Sequence, residues 1–287
     1  MGAVTPGPLV STAWLAARLD DPGLAVIDAT WFMPGEGRDA RAEHAGGHIP
    51  GAVFFGIDDI RDEASELPHM LAGAARFAAA ARRLGVNDAS RVVVYDSHGL
   101  FSAPRVWWNF RAMGHDQTFV LDGGLPRWRA EGRPQEAGWR SPSHGDFHAA
   151  TVPALVADLE AVRAAVAGHG QTIVDARPAG RFAGRDPEPR AGLRSGHMPG
   201  ARNVPWSRLV RDGALDAPAA LLSVFEAAGV IPGEPIVATC GSGVSAALAA
   251  LALARVGAWD VAVYDGSWAE WGSRADTAVA LGEPAAR

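Results

Sequence analysis

A single cysteine, Cys240, serves the whole 287-residue chain. One thiol can form neither an intrachain disulfide nor a Cys-rich zinc site, so Cys240 is either packing material or a reactive group. A basic surplus is missing too: 26 Lys and Arg stand against 32 Asp and Glu, a formal net charge of -6, which argues against a nucleic-acid partner. No apolar run approaches the roughly eighteen residues that would span a bilayer, so no membrane partner is expected. Met1 to Val10 contain no Lys or Arg and no apolar h-region. That speaks against a secretory or transit peptide and makes a cytoplasmic location the expectation. The nine histidines are read as lacking a close pair at helical ligand spacing, so neither a metal site nor another cofactor is expected.

What the chain does contain is an internal repeat. Its length suits two domains of ordinary size, and four landmarks recur in the same order in each half. An apolar strand ends in Asp28 and again in Asp175. "GHIPGAVFF" with His48 is matched by "GHMPGARNVPW" with His197. The run "RVVVYDS" near Asp96 is matched by "EPIVATC", which ends at Cys240. "VLDGGLPRW" with Asp122 is matched by "VYDGSWAEW" with Asp265. Short Val/Ile-rich runs bounded by Gly, Pro and Asp alternate with Ala-rich stretches, which predicts an α/β fold with a parallel sheet in each half. Helices are expected at Ser11–Leu19, Gly73–Leu84 and Ser102–Met113, and again at Val156–Ala167, Ala217–Ala228 and Gly243–Arg255. Residues 139–152, rich in Ser, Pro, Gly and His, read as a linker between a domain over 1–138 and a second over 153–287.

In an open α/β sheet the functional loops gather at the carboxyl ends of the strands. Cys240 falls at such an end, followed by "GSGVSA" and an Ala/Leu-rich helix. Gly241 and Gly243 permit a tight loop whose amides could curl around the sulfur, and those amides with the helix N-terminus favour thiolate over thiol. A cysteine that only fills a core needs no Gly-Ser-Gly behind it. The first half carries Asp96 or Ser97 at the matching place, so only the second half can be thiol-active. A phosphatase-type Cys-x5-Arg loop would require Arg where Ala246 stands. Trp107, Trp108, Trp128, Trp268 and Trp271 read as core packing.

The motifs "GHIPGA", "SAPRVWW", "LDGGLPRW", "GHMPG" and "YDGSWAEWG" resemble those of tandem rhodanese domains over essentially the whole chain. The loop "CGSGVSA" is similar to that of the 3-mercaptopyruvate sulfurtransferases, with Ser245 where the family usually has Thr. The resemblance implies two rhodanese-like domains, each a parallel sheet flanked by helices, the first an inactive copy. It also implies a persulfide on Cys240, and a donor-binding site formed by Arg181, Arg190, Gly241, Gly243, Val244 and Ser245. A relay from Ser242 to His48 and Asp39 is implied as well. His48 has a double in His197, so a role in the fold is the competing reading. Around Arg181 and Arg190, the residues Arg177, Arg185 and Arg194 could equally be solvated surface.

The expected reaction is double displacement. The Cys240 thiolate takes sulfur from 3-mercaptopyruvate, pyruvate leaves, and a thiol acceptor such as thioredoxin or a small thiol, or cyanide, removes the sulfur. Thiosulfate-using members of the family carry basic residues in this loop and Gly241 to Ser245 contain none, so the resemblance implies a carboxylate-bearing donor rather than thiosulfate. Thiosulfate:cyanide sulfurtransferase and a non-catalytic persulfide carrier are the alternatives. A monomer is expected, since two domains in one chain already build the usual cleft.

Overall fold

The computed structural model describes residues 7–168 and 170–283. The chain divides into two compact units, one of residues 1–62, 71–152 and 212–215, the other of 63–70, 153–211 and 216–287.

The first unit holds strands β1 (Leu9–Val10), β2 (Leu24–Asp28), β3 (Val53–Phe54), β4 (Arg91–Tyr95) and β5 (Thr118–Leu121). They form one sheet in the order β1-β5-β4-β2-β3, with every pairing parallel. Its helices are α1 (Thr12–Ala16), α2 (Ala40–Gly46), α3 (Ala74–Arg83), α4 (Ala103–Ala112) and α5 (Gly124–Ala130). Val92, Val93 and Val94 in the middle strand are fully buried. That is why the strand reads as an unbroken apolar run: helices cover both faces of a parallel sheet. Leu15, Val26, Val93, Phe119, Leu125 and Trp128 belong to one core cluster. Elsewhere in the unit Phe77 packs on Phe110 at 5.0 Å between ring centres, and Phe147 lies within 6 Å of both.

The second part of the chain repeats this plan with β6 (Val156–Ala157), β7 (Thr172–Asp175), β8 (Arg202–Asn203), two short strands β9 (Val210–Arg211) and β10 (Ala214–Leu215), then β11 (Ile236–Thr239) and β12 (Ala262–Tyr264). The sheet order β6-β12-β11-β7-β8 reproduces that of the first unit, again with parallel pairings throughout. The helices are α6 (Leu159–Val166), α7 (Ala179–Phe182), α8 (Pro218–Ala227), α9 (Val244–Arg255) and α10 (Ser267–Trp271). Residues 244 and 246–254 of α9 are all buried, as expected for a helix apolar on every side. No helix among the described residues is long and apolar enough to cross a membrane.

All six expected helices exist, each shorter than expected by one to a few residues, the last at its start alone. The start of the fourth is a correction: Val156 and Ala157 form an edge strand, and Asp158 then caps α6 by accepting from the Ala161 amide. Residues 139–152 contain no helix or strand, yet the stretch packs on the first unit. Phe147 is buried, and the amides of Gly145, Phe147, Ala150 and Val152 bond the carbonyls of Arg82, Val86, Met113 and Ala112.

Candidate active site

The middle strand β11 ends at Thr239 and hands the chain to Cys240, which is 2% exposed. The turn is pinned from the side by α10. The Cys240 N–H donates to Ser267 Oγ at 3.2 Å, and that hydroxyl donates to the Tyr264 carbonyl at 2.8 Å. The Trp268 and Ala269 amides bond the Cys240 and Gly241 carbonyls, each at 2.9 Å. Gly243, at φ +81°, is the left-handed residue that turns the strand into α9. Val244 and Ser245 open that helix, and Ser242, on the turn itself, is 7% exposed. Among the described residues, the amides of Gly241, Ser242 and Gly243 have no acceptor. Three consecutive N–H groups next to a helix N-terminus make a turn suited to a developing negative charge.

The first unit shows what this turn does when it carries its own anion. Asp96 follows β4 as Cys240 follows β11. Its carboxylate accepts from the amides of His98, Phe101, Ser102 and Ala103 at 2.8 to 3.0 Å. Leu125 N–H bonds the Asp96 carbonyl as Trp268 N–H bonds that of Cys240. The position matching Ser267 is Gly124, with φ +50° against +51°. One scaffold therefore presents a carboxylate ringed by amides in one copy and, in the other, a thiol followed by amides that have no acceptor among the described residues.

Arg181 reaches the thiol turn. Its Nη2 lies 3.0 Å from the point where a Cβ on Gly241 would stand, so a side chain there would push the guanidinium back by a few tenths of an ångström. Its Nε is buried and has no acceptor among the described residues. Arg190, half-buried, has Nη2 at 3.5 Å from Nε2 of His69, a residue sequence reasoning did not single out. The idea that the neighbouring arginines are solvated surface holds for Arg185, which is exposed and pairs with Glu283. It fails for Arg177, whose side chain is 1% exposed and clamped by Asp175 and Glu188. Burial opposes the charge on Arg177, but those two carboxylates outweigh it and hold its pKa above the ordinary arginine value. Arg194 is half-buried and donates to the carbonyls of Trp271, Gly272 and Thr277. Glu188 and Ser267 are the structural finds at this site. Glu188 could be suspected from an acidic residue inside an Arg-rich loop, whereas nothing local to Ser267 signals its partner 27 residues away.

His48 and Asp39 have local partners. Asp39 is exposed and caps α2, accepting from the Arg41 and Ala42 amides at 2.9 and 3.1 Å. His48 is buried, and its Nδ1 faces the His44 carbonyl at 2.9 Å. His197 does the same with the Phe182 carbonyl, also at 2.9 Å. Each of these histidines stacks on the ring it bridges to, at 4.2 and 3.8 Å. The reading that no histidines pair at helical spacing is corrected by His44 and His48, four apart. His44 Nδ1 is occupied by Asp28 at 2.9 Å, and no group of residues suited to hold a metal occurs among the described residues. Trp107, Trp108, Trp128, Trp268 and Trp271 are all buried in packing.

A parallel α/β unit present twice, with a thiol in the strand-to-helix turn of one copy alone, defines a tandem-domain protein equipped for cysteine chemistry on anions. The rhodanese-like domain model matches residues 11–131 and 158–274. The chain belongs to the rhodanese family. It is 46% identical to the 3-mercaptopyruvate sulfurtransferase of Escherichia coli (strain K12) over 94% of this chain and 96% of that one. It is 43% identical to the thiosulfate sulfurtransferase of Bos taurus, over 93% and 92%. The crystal structure of SseA from Escherichia coli, one of the 3-mercaptopyruvate sulfotransferases, superposes with a TM-score of 0.84 at 43% identity, covering 91% of this chain and 99% of that one.

Proposed function

We propose that the protein is a sulfurtransferase that takes sulfur from 3-mercaptopyruvate through a persulfide on Cys240 and passes it to a thiol. The supporting observation is the Cys240 turn, where a thiol precedes three amides that have no acceptor among the described residues and a guanidinium stands over Gly241. The Cys240 sulfur attacks the donor sulfur, the donor's carbon–sulfur bond breaks, and its electron pair leaves with pyruvate as the enolate, which takes a proton at carbon. A thiolate acceptor then attacks the outer sulfur, becomes a persulfide itself and releases Cys240 as thiolate. Arg181 and Arg190 hold the donor carboxylate with guanidinium forks, while the amides from Gly241 to Ser245 line the sulfur's path. Ser242 supplies a hydroxyl on the same turn for the enolate's proton, and His48 and Asp39 serve the first unit's backbone. Residues 153–287 form the thiol-active copy, 1–138 the inactive one and 139–152 their join. The acceptor is thioredoxin or a small thiol, and the chain works as a cytoplasmic monomer.

Thiosulfate is the second donor to test, because one relative is named for it at 43% identity. The turn from Gly241 to Ser245 brings no cation of its own for a divalent oxyanion. Turnover on the two donors, with protein mass spectrometry after each, decides the matter. Wild type is expected to prefer 3-mercaptopyruvate and to gain the mass of one sulfur on Cys240, and Cys240→Ser to transfer none. Pyruvate release by Cys240→Ser, or a wild type that prefers thiosulfate, overturns the reading.

A further inference from the structure

Arg181 is held over the thiol turn by a chain of buried charges. The Arg177 Nη2 donates to Asp175 Oδ2 at 2.6 Å and to the Gly196 carbonyl at 2.9 Å. Its Nε bonds both Asp175 oxygens, at 3.1 and 3.0 Å, and its Nη1 donates to Glu188 Oε1 at 2.8 Å. The guanidinium lies 4.2 Å over the Trp268 ring, on the helix that pins Cys240. The second Glu188 oxygen, Oε2, accepts from Arg181 Nη2. Glu188 is 2% exposed in its side chain, against 17% for Arg181. It sits between Pro187 and Pro189, whose rings restrict the backbone on either side of it.

We propose that Glu188 is a positioning residue for the sulfur donor: it fixes Arg181 over Gly241 and, through Pro189, the start of the Arg190 side chain. The proposal rests on Arg181 taking the donor carboxylate, as set out above. Its charge works against its geometry. The chain Asp175, Arg177, Glu188 and Arg181 is neutral as a set, so removing the Glu188 charge leaves it one unit more positive and, by Coulomb attraction alone, better for an anionic donor. Positioning predicts the opposite, because an arginine released from its anchor must be ordered again each time the donor binds.

Glu188→Gln separates the two. Arg177 keeps Asp175 and the Gly196 carbonyl, so the loop retains its main anchor. The KM for 3-mercaptopyruvate is expected to rise about tenfold with kcat within about threefold. Alkylation of Cys240 by neutral iodoacetamide should stay at the wild-type rate, which reports an intact thiol turn. In the Arg181→Ala background the same change should add little, as for two residues acting through one contact. A KM that is unchanged or lower in Glu188→Gln, or a full tenfold rise on top of Arg181→Ala, overturns the proposal. Should Glu188→Gln fail to fold, Glu188→Asp, one methylene too short to bridge both arginines, must show the same KM rise. A wild type inert toward 3-mercaptopyruvate would instead sink the functional reading itself, before any variant is compared.

Discussion

Ser267 holds a backbone angle that suits glycine, φ +51°, with its side chain fully buried between the Cys240 N–H and the Tyr264 carbonyl. A non-glycine residue in that region carries about 1–3 kcal/mol of strain. Leaving a buried N–H without an acceptor costs about 1–3 kcal/mol. Ser267→Ala keeps the strain and loses the bond, so it should lower stability by about 1–3 kcal/mol. Ser267→Gly relieves the strain as it loses the bond, and should stay within about 1 kcal/mol of wild type. Denaturant unfolding of the two variants checks the order, and an alanine variant as stable as the glycine one would refute it. Cys240 itself is legible in the sequence because glycine at two of the next three positions announces a special turn. Ser267 is not, since its role appears only when β12 has been laid beside β11.

Among the elements, α2 offers a direct test of what Asp39 does. Its carboxylate caps two amides of that helix and is exposed. Asp39→Ala should therefore lower stability by about 1 kcal/mol, while Asp39→Asn, an equally good cap, should leave it unchanged. Sulfur transfer should be retained in both. Loss of turnover in a folded Asp39→Asn protein would return this residue to the chemistry. The element pattern also explains how far sequence reading reaches. Helices such as Ala74–Arg83 and Val244–Arg255 run ten residues or more, long enough for a period to show. Two-residue strands such as Leu9–Val10 and Val156–Ala157 have no period, and exist because a neighbouring strand supplies partners. The short helices Ala179–Phe182 and Ser267–Trp271 likewise owe their existence to packing. Arg177 and Glu188 could be located in the sequence but not understood from it, since burial decides whether an arginine in a Gly- and Pro-laced loop is solvated or structural.

Across the whole molecule, the duplication fixes which features belong to the fold and which to the chemistry. Shared by both copies are the sheet order, the Asp at the end of the second strand and the histidine that bridges to a backbone carbonyl. The thiol and the pair Arg177 and Arg181 bridged by one buried glutamate, Glu188, belong to the second. Each unit also buries a histidine whose pKa burial pushes below the usual value, His115 in the first and His197 in the second. In the folded protein both resist protonation, whereas in the unfolded chain they take up protons as the pH drops below about 6.5. The unfolded state then binds more protons, so the stability these residues contribute is complete above that pH and is lost as acid carries the solution through the lowered folded-state values. Carboxylates such as Asp88 and Asp216, whose pKa values are lowered by hydrogen bonds, titrate further into acid and leave the interval from pH 8 to 5 to the histidines. Thermal unfolding across that interval should show a falling Tm in wild type. His115→Gln and His197→Gln should each start from a lower Tm at pH 8 and decline less steeply, because each removes one proton-uptake site from the unfolded chain. Equal slopes in wild type and both variants would mean that acid acts through other groups.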